Sequence, residues 1–438
     1  MFSRFGGGIH PPGHKSKTED LKFKNLPIPH TCYIPLLQHI GAPARLAVNI
    51  GDFVSEGQLI GAADGVLSAN VHSSIPGKVA DITSMPTIYG PQQSVVIEAE
   101  GSFSSSAKPQ ESCDWSALDA DTIISRIREA GVVGLGGAAF PTSVKLSPPP
   151  GKKIDTLIVN GAESGPYLTT DDMMMKSFPD AVIEGTRIVL KALGISTAII
   201  AVASDKKAAV ASLKKSLASA NPPEDITVKR IRNRYPQGAE KQILYTILGR
   251  QVPSGRLPAD VGAIVQNVGT VHAIREAVLY NRPLFSRYIT ITGNAIANPG
   301  NYKVRIGTRI ADIVEECGGL REKPSRIIIG GPMCGFSVNS LDYPVLKGTM
   351  GILFLAGEEV APGDYKPCIR CGKCVAVCPM GLLPCDLGNT VEKGRFDLAF
   401  NLNADDCIMC GSCSYVCPAR RPVSHFIKLA RQKKQSGT

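Results

Sequence analysis

Apolar positions along this 438-residue chain change period from segment to segment, and each change marks an element. In "DADTIISRIREAG", Ile123, Ile124 and Ile127 fall on one face of a 3.6-residue repeat, and Gly131 suits a helix C-cap. "KIDTLIVNGAES" carries a continuous apolar run, which predicts a buried strand ending in a loop with Asn160 and Glu163 at its end. From Ala181 to Ala203 the apolar run is broken by Glu184, Arg187 and Lys191, so it predicts a soluble helix and then the buried strand "TAIIAVAS". "YPQGAEKQILYTILGR" places Gly238 and Glu240 at a helix start, where backbone N–H groups suit a phosphate. "VGAIVQNVGTVHAIREAVL" reads as a strand, then Asn267 to Thr270, then a helix. Strands alternating with helices predict an α/β core.

Different patterning flanks this core. Residues 42–82 hold short apolar runs between the turn signatures V-x-x-GD-x-V-x-x-GQ-x-I and S-x-x-x-GKV. They resemble a lipoyl or biotinyl β-sandwich. Such carriers attach their cofactor to a Lys at a hairpin tip, whereas the tip here is "AADGVLSA", so a structural or docking module is expected. Residues 288–320 read as strand, turn, strand and the helix "RIADIVEECGG", and resemble a soluble-ligand-binding β-grasp domain in a supporting role.

Hydrophobic residues make up 43% of the chain and charged residues 20%, an ordinary globular balance, and the length allows about three domains. The net charge of +10 suits nucleic acid, a membrane surface or an acidic partner, but equally a solvated surface. No segment reads as a nucleic-acid module. No transmembrane helix and no signal peptide are expected, which predicts a cytosolic protein or one peripheral to the cytosolic side of a membrane. The basic tail "ARRPVSHFIKLARQKK" suits acidic lipid, another subunit or a solvated helix end.

Nine of the 13 cysteines fall between Cys368 and Cys417. Thiols in a cytosolic chain stay reduced, so such clustering points to metal rather than disulfides. "CIRCGKCVAVCP" and "CIMCGSCSYVCP" are both C-x2-C-x2-C-x3-C-P, the run that wraps a cubane. The fourth Cys of such a run ligates the other cluster. Cys368, Cys371, Cys374 and Cys417 are therefore assigned to one [4Fe–4S] cluster, and Cys407, Cys410, Cys413 and Cys378 to the other. Structural zinc uses two separated C-x2-C pairs, four ligands in all, and does not explain eight. Cys385 is out of register and reads as a small buried residue. The connecting segment, "GLLPCDLGNTVEKGRFDLAFNLNADD", predicts a mainly helical ferredoxin-type domain.

"GVVGLGGAAFPTSVK" looks like a nucleotide loop. A Rossmann fingerprint needs a strand before its glycines and a helix after them. Here a helix precedes, and Pro141 and Pro148 to Pro150 exclude a long helix after. A cradle for a phosphate and a flat ring remains, or a plain turn.

Taken with the other loops, this stretch resembles the flavin- and NADH-binding subunit of respiratory complex I. The family pattern G-x-G-G-x-x-F-P-T-x-x-K, N-x-x-E, G-E-E and N-N-V-x-T stands here as Gly134, Gly136, Gly137, Phe140, Pro141, Thr142 and Lys145; Asn160 and Glu163; Gly238 and Glu240; Asn267, Val268 and Thr270. The resemblance implies non-covalent FMN held by Gly134, Gly136, Gly137, Lys145, Asn160, Glu163, Gly238, Asn267 and Thr270. It implies NADH held by Phe140, Glu163 and Glu240. Gln266, Ala239 and Gly165 depart from the pattern, and the lost acidity bears on NADH affinity.

Over essentially its full length, including "FGGGIHPPGHK", "PQGAEKQ" and "VPSGRLPADVG", the chain resembles the RnfC family, the C subunits of Rnf electron transport complexes. The resemblance implies a multidomain α/β and α+β chain. An N-terminal segment with a lipoyl-like barrel-sandwich spans 1–110 (core 30–100), and an FMN/NADH core of non-classical Rossmann form spans 118–284. A β-grasp domain spans 285–356, and a 2[4Fe–4S] ferredoxin-type domain with the basic tail spans 357–438. It implies the NADH-side oxidoreductase module of a ferredoxin:NAD+ complex coupled to Na+ or H+ translocation, peripheral on the cytoplasmic side of the inner (plasma) membrane. Its partners would be NAD(H), a ferredoxin-side iron–sulfur subunit and integral membrane subunits, with no nucleic acid. FMN would exchange hydride with NAD(H) and single electrons with the clusters, and no side chain is expected to be catalytic in its own right. A soluble cobalamin reductase-like enzyme and an electron-transfer scaffold without NADH activity are the alternative readings.

Overall fold

The computed structural model describes residues 5–100, 112–149, 151–360 and 363–435. The first four residues of the N-terminal stretch and Pro150 of the proline run lie outside the described residues.

Four parallel strands form the central sheet, in the order Asp225–Ile231, Thr197–Ala203, Thr156–Gly161, Ala263–Asn267. Their apolar runs are continuous because both faces are covered. On one face Leu157, Val159, Ile200, Val202 and Ile264 pack against the helices Ala120–Glu129, Pro179–Leu193, Lys207–Ala220 and Val268–Tyr280. On the other, Ile158, Ile199, Ala201 and Val265 pack against Glu240–Leu248. An Ile200→Ala cavity in this fully buried layer costs about 2–5 kcal/mol. Strand order reverses between Thr156–Gly161 and Ala263–Asn267, and open α/β sheets bind ligands at such a switch point.

The sandwich pairs a four-stranded sheet (Thr31–Pro35, Gly90–Ala99, Gly77–Thr87, Phe53–Val54) with a three-stranded one (Arg45–Leu46, Leu59–Ala62, Val71–His72). Its core is Cys32, Ile34, Ile60, Val71, Ile75 and Ile97. The β-grasp sheet has six strands, with the helix Ile310–Glu316 packed into the same core. One edge of that sheet is Lys24–Asn25, contributed by the segment that precedes the sandwich in sequence. That segment does not fold with the sandwich. Ile9 bridges Tyr235 of the core, and the Gly8 N–H donates to the Val377 carbonyl of the C-terminal unit.

The C-terminal unit is mainly helical, with its core between Pro384–Glu392, Phe396–Asn401 and Val423–Gln435. The basic tail folds back on this unit and touches the β-grasp sheet. Arg421 is buried and pairs with Glu392 at 2.7 Å, Arg431 donates to the Cys407 carbonyl at 2.8 Å, and Lys428 lies 3.9 Å over the Phe336 ring.

One lysine joins three units. Lys347, 1% exposed, donates to the Asn70 carbonyl of the sandwich and, at 2.7 Å, to the Gly131 carbonyl after the first core helix. Burial pushes its ammonium down to about 7. Between that pH and about 10.4 the unfolded chain holds a proton here that the folded chain lacks. Stability from this group therefore rises with pH across that window. Lys347→Met strands two carbonyls, at about 1–3 kcal/mol each. Melting curves should show the variant less stable than the parent, with a deficit that widens from pH 7 to pH 9. A constant deficit would place the titration elsewhere.

Candidate functional site

At the switch point the register pairs Asn160 with Asn267. Ile158 and Val265 lie two residues before them in the second core cluster, so both amides project from that same face of the sheet. Each is fixed by its neighbours. The Asn160 Nδ2 donates to the Gly238 carbonyl at 2.8 Å, and its Oδ1 accepts from the Ala162 N–H at 3.1 Å. Asn267 caps the thirteen-residue helix Val268–Tyr280 by accepting from the Gly269 N–H at 2.8 Å, and its Nδ2 donates to Asp171 at 2.6 Å.

The glycine loop lies over this edge. The Gly134 N–H donates to the Phe140 carbonyl at 2.8 Å and Val133 bridges Pro141, closing a hairpin whose tip, Gly136 to Ala138, is exposed. The Leu135 N–H donates to the buried Thr270 hydroxyl at 2.8 Å, and the Leu135 carbonyl accepts from Arg287 at 3.2 Å. Gly137 has φ +104°, open to glycine alone at ordinary cost. A side chain at Gly136 would begin 3.4 Å from Asn267 Cβ. One at Gly238 would meet Ser164 Oγ at 3.5 Å and Ala162 Cβ at 3.6 Å. Glycine keeps the space between these loops clear for a flat group. Lys145, at the end of the one-turn helix Thr142–Lys145, is ion-paired with Glu240 at the start of Glu240–Leu248. Phe140, in the returning arm of the hairpin, is half-buried.

Glu163 is held by its protein neighbours. It is buried with φ +40°, and its carboxylate accepts from the Asp171 N–H at 2.7 Å and the Asp172 N–H at 3.3 Å. Lys206 stands 3.5 Å away and Lys15 3.8 Å. For Lys206, burial opposes the charge, but Glu163, Asp172 and Asp205 outweigh it and raise the ammonium. Burial, and then Glu163, push the Asp171 carboxyl well up. Gly165 faces open space, so the missing acidic side chain is not a steric necessity. Gln266 is buried with its Nε2 unpartnered.

The eight cysteines of the two runs line two cavities. Cys368, Cys371, Cys374 and Cys417 line one, and Cys407, Cys410, Cys413 and Cys378 line the other. The fourth cysteine of each run thus faces the other run's cavity. Zinc gathers its sulfurs about 2.3 Å from one point. Among the described residues no group of three Cys, His, Asp or Glu side chains is arranged to hold a single metal ion. Sulfurs spread around a cavity fit a four-iron cube. Burial pushes the Cys407 thiol up to about 11 and the Cys413 thiol up to about 12.

The second cavity adjoins the core. Gln242 Nε2 donates to the Pro379 carbonyl at 3.3 Å and lies 3.1 Å from Met380 Sδ, while the Tyr235 hydroxyl donates to the Cys410 carbonyl at 2.6 Å. The first cavity lies outward, with Ile369, Arg370, Cys371 and Lys373 exposed around it. Lys206, Asp171 and Arg287 carry no motif that singles them out in the sequence, and Lys15, Tyr235 and Gln242 lie in quoted stretches without an assigned role; only the fold brings all six to these sites.

Four family models match the chain: the RnfC barrel sandwich hybrid domain at 3–102, the Nuo51 FMN-binding domain at 127–276, the SLBB domain at 288–337 and the 4Fe-4S dicluster domain at 367–420. The cofactors are accordingly FMN and two [4Fe–4S] clusters. The chain is 45% identical to the C subunit of the proton-translocating ferredoxin:NAD(+) oxidoreductase complex of Clostridium ljungdahlii, over 88% of this chain and 83% of that one. It is 42% identical to the C subunit of the Na(+)-translocating ferredoxin:NAD(+) oxidoreductase complex of Acetobacterium woodii, over 98% and 96%. The C subunit of the ion-translocating oxidoreductase complex of Rhodobacter capsulatus is 37% identical over 89% and 75%. An NAD+-reducing [NiFe]-hydrogenase chain shares the fold, with a TM-score of 0.53 at 18% identity over 77% of this chain and 71% of that one.

Cross-ligation can be tested directly. Cys378→Ala should cost the cluster held by Cys407, Cys410 and Cys413, dropping iron from about eight to about four per chain. The remaining cluster should match, by electron paramagnetic resonance, the one that Cys410→Ala leaves. Resemblance to the cluster left by Cys371→Ala would contradict the assignment.

Proposed function

The chain belongs to the family formed by the C subunits of ion-translocating oxidoreductase complexes, and from that premise we propose that it is the NADH-side module of a ferredoxin:NAD+ oxidoreductase complex. The observation that carries the reading is the adjacency of the glycine-walled cradle and one cluster cavity, joined by Gln242 on Pro379 and Met380 and by Tyr235 on Cys410. When bound, FMN supplies hydride exchange with NAD(H) and single-electron exchange with the clusters.

The protein's share is placement. Gly134, Gly136, Gly137 and Gly238 leave room for a ring, and Asn160 and Asn267 present amides to it. The N-terminus of Val268–Tyr280, with Thr270 in its first turn, favours the phosphate. Lys145, paired with Glu240, adds a charge at the mouth, where Phe140 and Glu240 would contact the nicotinamide nucleotide. Glu163 acts from below, holding its loop in shape. A cluster in the inner cavity would lie on this side, and one in the outer cavity would exchange electrons with a partner through its exposed rim. Among the described residues no helix is long and apolar enough to cross a membrane. The family's membrane complex, its Na+ or H+ coupling and its ferredoxin-side subunit would thus be met from the periphery, on the cytoplasmic face.

NADH added anaerobically to the FMN-loaded chain should bleach the flavin and the iron–sulfur absorbance together. Bleaching by dithionite alone would defeat the NADH assignment. A second prediction concerns seating. At Gly7, φ +68°, a Cβ would stand 2.6 Å from the carbonyls of Val377 and Cys378. Gly7→Val should leave flavin bleaching intact and slow iron–sulfur reduction by up to about 100-fold, the scale of a 1 Å misplacement. Equal rates in stopped flow would show that the contact does not set the transfer.

A further inference from the structure

The outer cavity holds a fifth sulfur. Cys385 belongs to neither run, yet it lines the same space as Cys368, Cys371, Cys374 and Cys417. It is the second residue of the helix Pro384–Glu392, half-buried, with Pro384 and Leu387 buried on either side. Its side chain and its backbone N–H both face the Cys374 sulfur. The inner cavity has a hydroxyl in the corresponding role: Ser412 Oγ lies 3.4 Å from the Cys410 sulfur.

We propose that Cys385 is a positioning and tuning residue of the outer cluster, donating an S–H hydrogen bond to the Cys374 sulfur. This rests on the assignment of that cavity to a [4Fe–4S] cluster. Four run cysteines already supply one thiolate to each of four irons, so a fifth thiolate has no iron to fill. Ligated Cys374 carries no proton and can only accept. A donor aimed at a ligand sulfur stabilises the more negative, reduced cluster and raises its potential. Cys385 thereby makes the outer cluster easier to reduce than it would be without the bond.

The test uses the full chain purified anaerobically, as Cys385→Ala and Cys385→Ser. Iron is counted, and a dithionite titration is followed by electron paramagnetic resonance, so the outcome does not depend on NADH. Both variants should keep about eight irons. In Cys385→Ala one midpoint potential should fall while the other stays. Cys385→Ser, which retains a donor, should recover part of the shift. Loss to about four irons in Cys385→Ala would make Cys385 a ligand and overturn the proposal. Two unmoved midpoints would overturn it as well. Retained flavin content in both variants separates either result from misfolding.

Discussion

Much of the architecture hangs on one buried carboxylate. Glu163 is 2% exposed at its side chain and sits in a left-handed backbone conformation. A charge taken so far from water is tolerated only with strong partners, since its desolvation costs several kcal/mol. It finds them in two N–H groups of the first turn of Thr170–Ser177 and in Lys206 and Lys15. The chain of contacts continues. Asp171 holds Asn267, Asn267 caps its helix, Thr270 in that helix holds Leu135, and Leu135 is held by Arg287 of the β-grasp unit. A single polar spine thus couples the N-terminal segment, the strand ends, the glycine loop and the flanking sheet. Each link leaves a buried group unsatisfied if cut, so the loops around the cradle hold one shape.

The same logic explains the N-terminal segment. It reaches across the core and the iron–sulfur unit rather than joining the sandwich beside it. Its glycines at 7 and 8 come within touching distance of the Val377, Cys378 and Tyr235 backbones, where any side chain would collide. Further along, Thr18, Thr169, Thr290 and Asn301 share a buried hydroxyl–amide network. The segment works as a strap, with backbone approach at one end and polar bonding at the other. Cofactors that exchange electrons need fixed separations, and a strap across the seam fixes them.

Charge is used inside the molecule as well as on it. The excess of +10 fits a solvated surface as well as an anionic partner. Several of the cations serve structure instead: Lys347 between three units, Arg287 on two carbonyls, Arg421 on Glu392 and Asn389, and Arg431 on a cysteine carbonyl. Basic residues near the C-terminus therefore hold the iron–sulfur unit together. The exposed basic rim at Arg370 and Lys373 belongs to the outer cluster site.

Local order was legible in the residues because periodicity and spacing are local properties. The helix before the glycine loop, the buried strands at 156–161 and 197–203, the sandwich turns, the β-grasp strands and the two cysteine runs follow from side-chain period, turn chemistry and the reach of a thiolate. The run spacing also implied that the fourth cysteines exchange partners, because three close thiolates leave one corner of a cube open. What the tertiary structure alone decided depends on pairs far apart in the chain. Register set Asn160 beside Asn267, and packing turned Glu163 inward onto a helix start. A cavity gathered Cys385 beside a cluster for which its spacing gives no place, and Lys347 met carbonyls more than 200 residues away. Nothing in a sequence window encodes such meetings. They arise when burying the apolar faces of four units forces particular polar groups together, each of which must then find a partner or be costly to bury.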